Sequence, residues 1–114
     1  MRLREIAARL GLEVKSGEDK LDAEVRNGYV SDLLSDVIAH AQELELWITL
    51  QTHLNIVAVA SMKGLAGIVL VQDRKPEPDV VEKADKEGIP ILVTKMPAFA
   101  IAGKLYNILN AEEV

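Results

Sequence analysis

Three short stretches bring together side chains that could do chemistry. The first is Thr49-Leu50-Gln51-Thr52-His53 with Asn55; the second is Gln72-Asp73-Arg74; the third is Thr94-Lys95. Between them they offer hydroxyls, amides, an imidazole, a guanidinium and an ammonium. Such groups bind small anions, phosphates above all, when a fold gathers them around free helix N-termini. His53 is the one residue of a catalytic type. Its imidazole titrates near neutrality and could serve as a base or a phosphate contact, with Thr49, Thr52 and Thr94 beside it. The plainer reading is that Thr52, His53 and Asn55 only cap and start a helix. His40, at the end of another helix, suits the negative end of its dipole and reads as structural.

Other chemistries lack their residues. There is no cysteine, which removes disulfides, thiolate metal sites and cysteine nucleophiles together. The acidic pairs Ser31-Asp32 and Ser35-Asp36 sit at a helix start without the glycine-interrupted loop of a calcium site. The first pair reads as an N-cap and the second as a solvated helix face, so no metal is expected. No Gly-x-x-x-x-Gly-Lys-Ser/Thr, no Gly-x-Gly-x-x-Gly and no Gly-x-Ser-x-Gly occurs. Gly64-Leu65-Ala66-Gly67 precedes a strand rather than following one. No cofactor is implied and no catalytic residue is assigned.

The elements that would position these residues follow from periodicity. Leu3, Ile6, Ala7 and Leu10 fall on one helical face, and Gly11 is placed to end that helix. Leu12 to Lys15 alternates as a half-buried strand, and Ser16 to Lys20 is a polar turn. Val25 to Tyr29 is a second short strand. Ser31 opens a helix whose stripe is Leu33, Leu34, Val37, Ile38 and Ala41. LELWITL, residues 44–50, reads as a strand. Residues 54–62 suit a buried helix or a strand. The helix is preferred, because a parallel strand follows and needs a crossover. AGIVLV, residues 66–71, is a strand buried on both faces. A charged helix follows from Pro78 to Gly88, with Glu82 and Lys86 spaced to pair. Ile89 to Val93 is a further buried strand, and Pro97 opens the last helix. From residue 44 the order is β-α-β-α-β-α, which implies a mainly parallel sheet in a three-layer α/β sandwich. The N-terminal helix and short extra strands are added to it, and residues 1–114 form one domain.

Charge narrows the partners. The net charge of −5 disfavours general nucleic-acid binding. Leu3 to Leu12 resembles the first helix of a helix-turn-helix, yet a strand pattern and the loop SGEDK follow where a recognition helix would stand. A DNA-binding regulator is therefore the least favoured reading. No apolar run approaches the roughly 20 residues needed to cross a bilayer, and the N-terminus lacks a signal-peptide h-region. A cytoplasmic location is expected. Residues 53–62 look apolar on too many sides for an exposed helix, which points to a homodimer through that face.

Four blocks, in order, resemble a known family. They are Gly28–Val37, Leu46–Thr49, Asn55–Ala60 and Gly88–Thr94, followed by Phe99. Over residues 1–109 the chain resembles the DRTGG domain family. The resemblance implies a likeness to the amino-terminal domain of the bifunctional phosphocarrier kinase/phosphorylase. It also implies a likeness to domains inside CBS-containing pyrophosphatases and some phosphate acetyltransferases. In those settings the domain is regulatory, non-catalytic and prone to dimerise. Short members near iron-hydrogenase genes imply a hydrogenase-related protein partner by analogy. The name-giving residues are replaced. Gln51-Thr52-His53 stands where Asp-Arg is expected, and Gln72-Asp73-Arg74 where Thr-Gly-Gly is expected, while Thr94 matches the family's late threonine. The resulting expectation is a non-catalytic, homodimeric regulatory or assembly module. It would bind a nucleotide or phosphate-containing molecule through Thr49, Gln51, Thr52, His53, Asn55, Asp73, Arg74, Thr94 and Lys95. The alternative is a small enzyme or phosphate-ester-binding protein using His53 and the threonines.

Overall fold

The computed structural model describes residues 1–111. Helix α1 (Leu3–Leu10) leads to strand β1 (Glu13–Ser16), a 3-10 turn (Glu18–Lys20) and β2 (Asn27–Val30). Then come α2 (Leu34–His40), β3 (Glu45–Thr49), α3 (Asn55–Lys63), β4 (Gly67–Leu70), α4 (Pro78–Glu87), β5 (Ile91–Val93) and α5 (Ala98–Asn110). The five strands form one sheet in the order β1-β5-β4-β3-β2. β2, β3, β4 and β5 run parallel, and β1 lies antiparallel against β5.

Residues 54–62 are helical, as the need for a crossover requires. The parallel array starts one strand earlier than expected, at β2. The two short extra strands are therefore the two edges of the same sheet.

The winding decides which face each helix covers. α2, α3 and α4 all lie on one face, where Val37, Ile56, Val57, Ala60, Val80 and Ala84 pack on Trp47, Ile68, Leu70, Ile91 and Val93. α1 and α5 cover the other face, where Leu3, Ile6, Ile101 and Leu105 pack on Leu46, Ile48, Val69 and Leu92. A parallel strand covered on both faces needs apolar residues at successive positions. β4 meets this with four buried residues in a row. The apolar breadth of α3 has the same cause. It sits between α2 and α4, and buries Ile56, Val57, Val59 and Ala60. Those four residues are thus spent inside the chain, while Leu54 and Met62 stay exposed.

β1 is anchored by its last residues. The Ser16 hydroxyl, 2 % exposed, donates to Ile89 O at 2.9 Å and accepts from Ile91 N–H at 3.0 Å. This corrects the expectation that residue 16 opens a solvated turn: the hydroxyl closes the sheet across an irregularity between Val14 and Ser16. Gly17 follows at φ +66°, and a Cβ there would lie 2.5 Å from Pro90 N. Gly11, at φ +65°, caps α1 with open space around the same direction.

The pair separates conformation from sterics. Gly11→Ala should cost about 1–2 kcal/mol, the left-handed penalty alone. Gly17→Ala should cost at least ~3 kcal/mol, because rigid backbone must also move. Urea unfolding of both variants checks the order; equal losses would mean that the Pro90 contact relaxes freely.

Candidate functional site

The carboxyl ends of the parallel strands lie together, and the segments that leave them carry the residues expected to bind a ligand. Ligands bind beyond these ends where neighbouring connections part to opposite faces. That happens once here. The segment after β4 leads to α4 on one face, and the segment after β5 leads to α5 on the other.

At this parting the two segments are laced together. Gln72 N–H donates to Met96 O at 2.9 Å, and Asp73 N–H to Thr94 O at 2.8 Å. Arg74 N–H closes the turn on Val71 O at 3.1 Å. Gln72 and Asp73 are both left-handed, at φ 56° and 58°. Two successive left-handed residues make a type I′ turn, which favours Gly, Asn or Asp and not Gln. The expected Thr-Gly-Gly falls on Gln72-Asp73-Arg74, so a glycine was expected at one of the two left-handed positions, Asp73; here glutamine and aspartate bear the turn.

The expected residues fall into three groups. Thr49 is buried, and its hydroxyl donates to Asp32 Oδ1 at 2.8 Å. The same carboxylate oxygen accepts Leu50 N–H at 2.7 Å, and Gln51 Nε2 donates to Asp32 O at 3.0 Å. Thr49 Oγ1 also accepts Gln51 N–H at 3.1 Å. Thr49 and Gln51 thus fasten the exit of β3 to the exit of β2. The second group lines a depression on the α2–α4 face, where Thr52 and His53 lie with Glu77 and Asp79. His53 Nδ1 accepts Asn55 N–H at 3.1 Å, so the ring caps α3 while the Thr52 and Asn55 side chains do not. The third group lines a separate depression against α1 and β1, formed by Asp73, Thr94, Lys95, Met96, Gly11 and Glu13. Thr94 is buried, with its Oγ1 accepting Met96 N–H at 3.2 Å. α5 begins here with no side-chain cap and no acid in its first turn. His53 and Lys95 do not share a depression. Among the described residues, no group of three His, Asp or Glu could hold a metal ion.

Two readings at α2 need correction. The helix begins at Leu34 rather than Ser31, and Asp32 is not its cap. Its carboxylate has better donors in Thr49 and Leu50. Asp36 is not merely solvated: it accepts the Tyr29 hydroxyl at 2.8 Å. That bond, with help from Ser31, holds the Asp36 carboxyl below the ordinary carboxylate range, and it raises the Tyr29 phenol. The acids Glu77 and Asp79 beside His53 were not foreseen. They belong to the next strand-helix junction, and only the fold brings the two junctions side by side.

The family model of the DRTGG domain matches residues 5–108. The chain belongs to the DRTGG domain family. A solved structure similar to it contains the CBS and DRTGG domains of the regulatory region of Clostridium perfringens pyrophosphatase, complexed with its activator diadenosine tetraphosphate. The identity is 18 %, the TM-score 0.72, and the match covers 91 % of this chain and 45 % of that one. This DRTGG domain therefore shares that fold and spans under half of the regulatory region. No curated protein matches it. No described helix is long and apolar enough to cross a membrane.

Two tests follow. Thr49→Val keeps the shape but removes a donor to a carboxylate. It should cost about 1.5–3 kcal/mol, while Thr52→Val stays within about 0.5 kcal/mol. Urea unfolding decides, and equal losses would show the Asp32 bond to be idle. Asp36 sets the second. A depressed carboxyl adds stability above its unfolded pKa, and loses it as pH falls through the folded one. Tyr29→Phe should therefore lose less stability than wild type on acidification below about pH 5. Melting curves across that range give the two slopes; parallel slopes would mean that the bond does not form.

Proposed function

We propose that this DRTGG domain is a non-catalytic regulatory module, working in the cytoplasm as a homodimer. Its ligand is a nucleotide or another phosphate-bearing molecule. The observation that carries the ligand assignment is the depression of Thr94, Lys95 and Asp73 at the uncapped, acid-free start of α5. An ammonium suits a phosphate, and the uncapped first turn of α5 follows Lys95 two residues on in the chain. Two carboxylates line each depression, Asp73 and Glu13 beside Lys95 and Glu77 and Asp79 beside His53, but only the first also holds an ammonium. The regulatory assignment is supported by the family and by the pyrophosphatase regulatory region that shares the fold, which carries a dinucleotide activator.

The enzyme alternative needs hydroxyls and an imidazole free to act together. Thr49 donates its proton to Asp32, His53 Nδ1 is occupied by Asn55, and Thr94 lies apart from both. These commitments favour a binding role. A hydrogenase-related protein partner stays an inference from family analogy alone, and would engage the domain as an assembly module.

A ligand that binds only the folded state stabilises by about 2.7 kcal/mol at 100 times its dissociation constant, which is several degrees of melting temperature for a domain this small. Thermal melts with AMP, ATP and diadenosine tetraphosphate are expected to show such a rise in wild type and in His53→Ala. Lys95→Ala should abolish the rise while melting normally alone. A rise that survives Lys95→Ala but not His53→Ala would move the site to the other depression. No rise with any of the three would remove the nucleotide ligand and leave an assembly role.

A further inference from the structure

The sheet has two edges, and they are built differently. Edge β1 carries Glu13 and Lys15, paired at 2.6 Å, and is irregular between Val14 and Ser16. Charge and irregularity are the usual means of keeping an edge from pairing with another chain. Edge β2 has neither. Its residues are Asn27, Gly28, Tyr29 and Val30, without charge or proline, in unbroken register with β3. Ser31 N–H donates to Ile48 O. Strand alternation then turns the peptide groups of Gly28 and Val30 away from β3. Beside this open ladder lies an apolar groove lined by Gly28, Val30, Ala102, Leu105, Tyr106 and Leu109. Val30 is 53 % exposed and Tyr106 65 %.

We propose that β2 is the self-association edge: a second copy of this chain lays its own Asn27–Val30 antiparallel along it, across a two-fold axis. This rests on the homodimer reading above and assigns it to this edge rather than to the face of residues 53–62.

The charges flanking the strand select the occupant. Exposed Arg26 precedes β2, and exposed Asp32 follows it. Asp32 uses one carboxylate oxygen, Oδ1, for Thr49 and Leu50, which leaves Oδ2 open. Antiparallel pairing about a two-fold axis brings the start of each strand to the end of the other. Arg26 of each copy then faces Asp32 of the other, twice over. Chains of net charge −5 repel one another at long range, so they must meet where charge cancels locally. This edge meets that condition with no other partner required. The same operation sets Val30 and Tyr106 of each copy over the apolar groove of the other, as an isologous contact does.

Sedimentation equilibrium tests the edge. Wild type is expected to dimerise at micromolar concentrations. Val30→Lys should weaken the dimer on the order of tenfold or more, since each copy would bring a cation to the seam. Arg26→Glu should weaken it as well, more at low salt than at high. Met62→Lys and Phe99→Lys alter exposed apolar residues elsewhere (62 % and 93 % exposed) and should leave it intact. Should Val30→Lys fold poorly, hydrogen exchange on wild type gives an independent reading. The Gly28 and Val30 amides should become protected as concentration rises. A dimer untouched by Val30→Lys and Arg26→Glu, with those two amides unprotected, overturns this edge but keeps the dimer. A wild-type monomer throughout overturns both.

Discussion

Strands that run the same way cannot be joined by hairpins. Each needs a crossover long enough to return the chain, and each crossover must lie on a face of the sheet. Here β2, β3, β4 and β5 follow one another across the sheet without reversal. Their three crossover helices consequently crowd onto one face. The other face would stand bare, and three strands of buried, mostly aliphatic residues, β3, β4 and β5, forbid that. The chain covers it with what remains at its two ends, α1 and α5. α5 leaves β5 and reaches back over the sheet to β2, where Gly28 makes room for Leu105: a Cβ at Gly28 would sit 2.9 Å from Leu105 Cδ2.

That single demand shapes the carboxyl end of the sheet. Because α5 goes one way and α4 the other, the exits of β4 and β5 part, and a crevice would open between them. The type I′ turn at Gln72 and Asp73 closes it by donating to Met96 O and Thr94 O. The left-handed strain at Gln72 costs about 1–2 kcal/mol. Two backbone hydrogen bonds at roughly 1 kcal/mol each offset that amount. The turn holds, and the candidate residues on its two sides fall into two depressions, of which only the one with Lys95 offers an ammonium.

The architecture was legible because its rules are local or topological. Gly11, Gly64 and Gly88 each take a left-handed cap where the helical patterns stop. Pro78 opens α4, and the crossover argument alone made residues 54–62 a helix. The site was less legible, since its logic is long-range. Ser31-Asp32 has the form of an N-cap, and nothing in the local sequence says that Thr49 offers Asp32 a better bond from another strand. Glu77 reaches the neighbourhood of His53 only because β3 and β4 are adjacent. Tyr29 and Asp36 stand seven residues apart, a spacing that would share a face only within one helix, whereas a strand end and a turn lie between them here.

The same demand leaves its mark at the far edge. A sheet wound in one direction ends in a strand with only one neighbour, and β2 is that strand. α5 packs against β2 to shelter Gly28 and Leu105, yet it stops short of covering Val30. Extending the cover would require another helix beyond β2, and α2 cannot supply it while it packs against α3 on the opposite face. Tyr29 cannot close the edge either, since its hydroxyl is held inward by Asp36. The exposed ladder is therefore a consequence of the winding, and β1 shows that the chain has the means to blunt an edge where pairing would be harmful. β2 lacks those means, and its flanking charges, Arg26 and Asp32, are placed so that an inverted copy would cancel both, which is what the proposed self-association uses. The proposed ligand site near Lys95 and the proposed seam along β2 then lie at the two ends of α5, one near its start and one along its later turns.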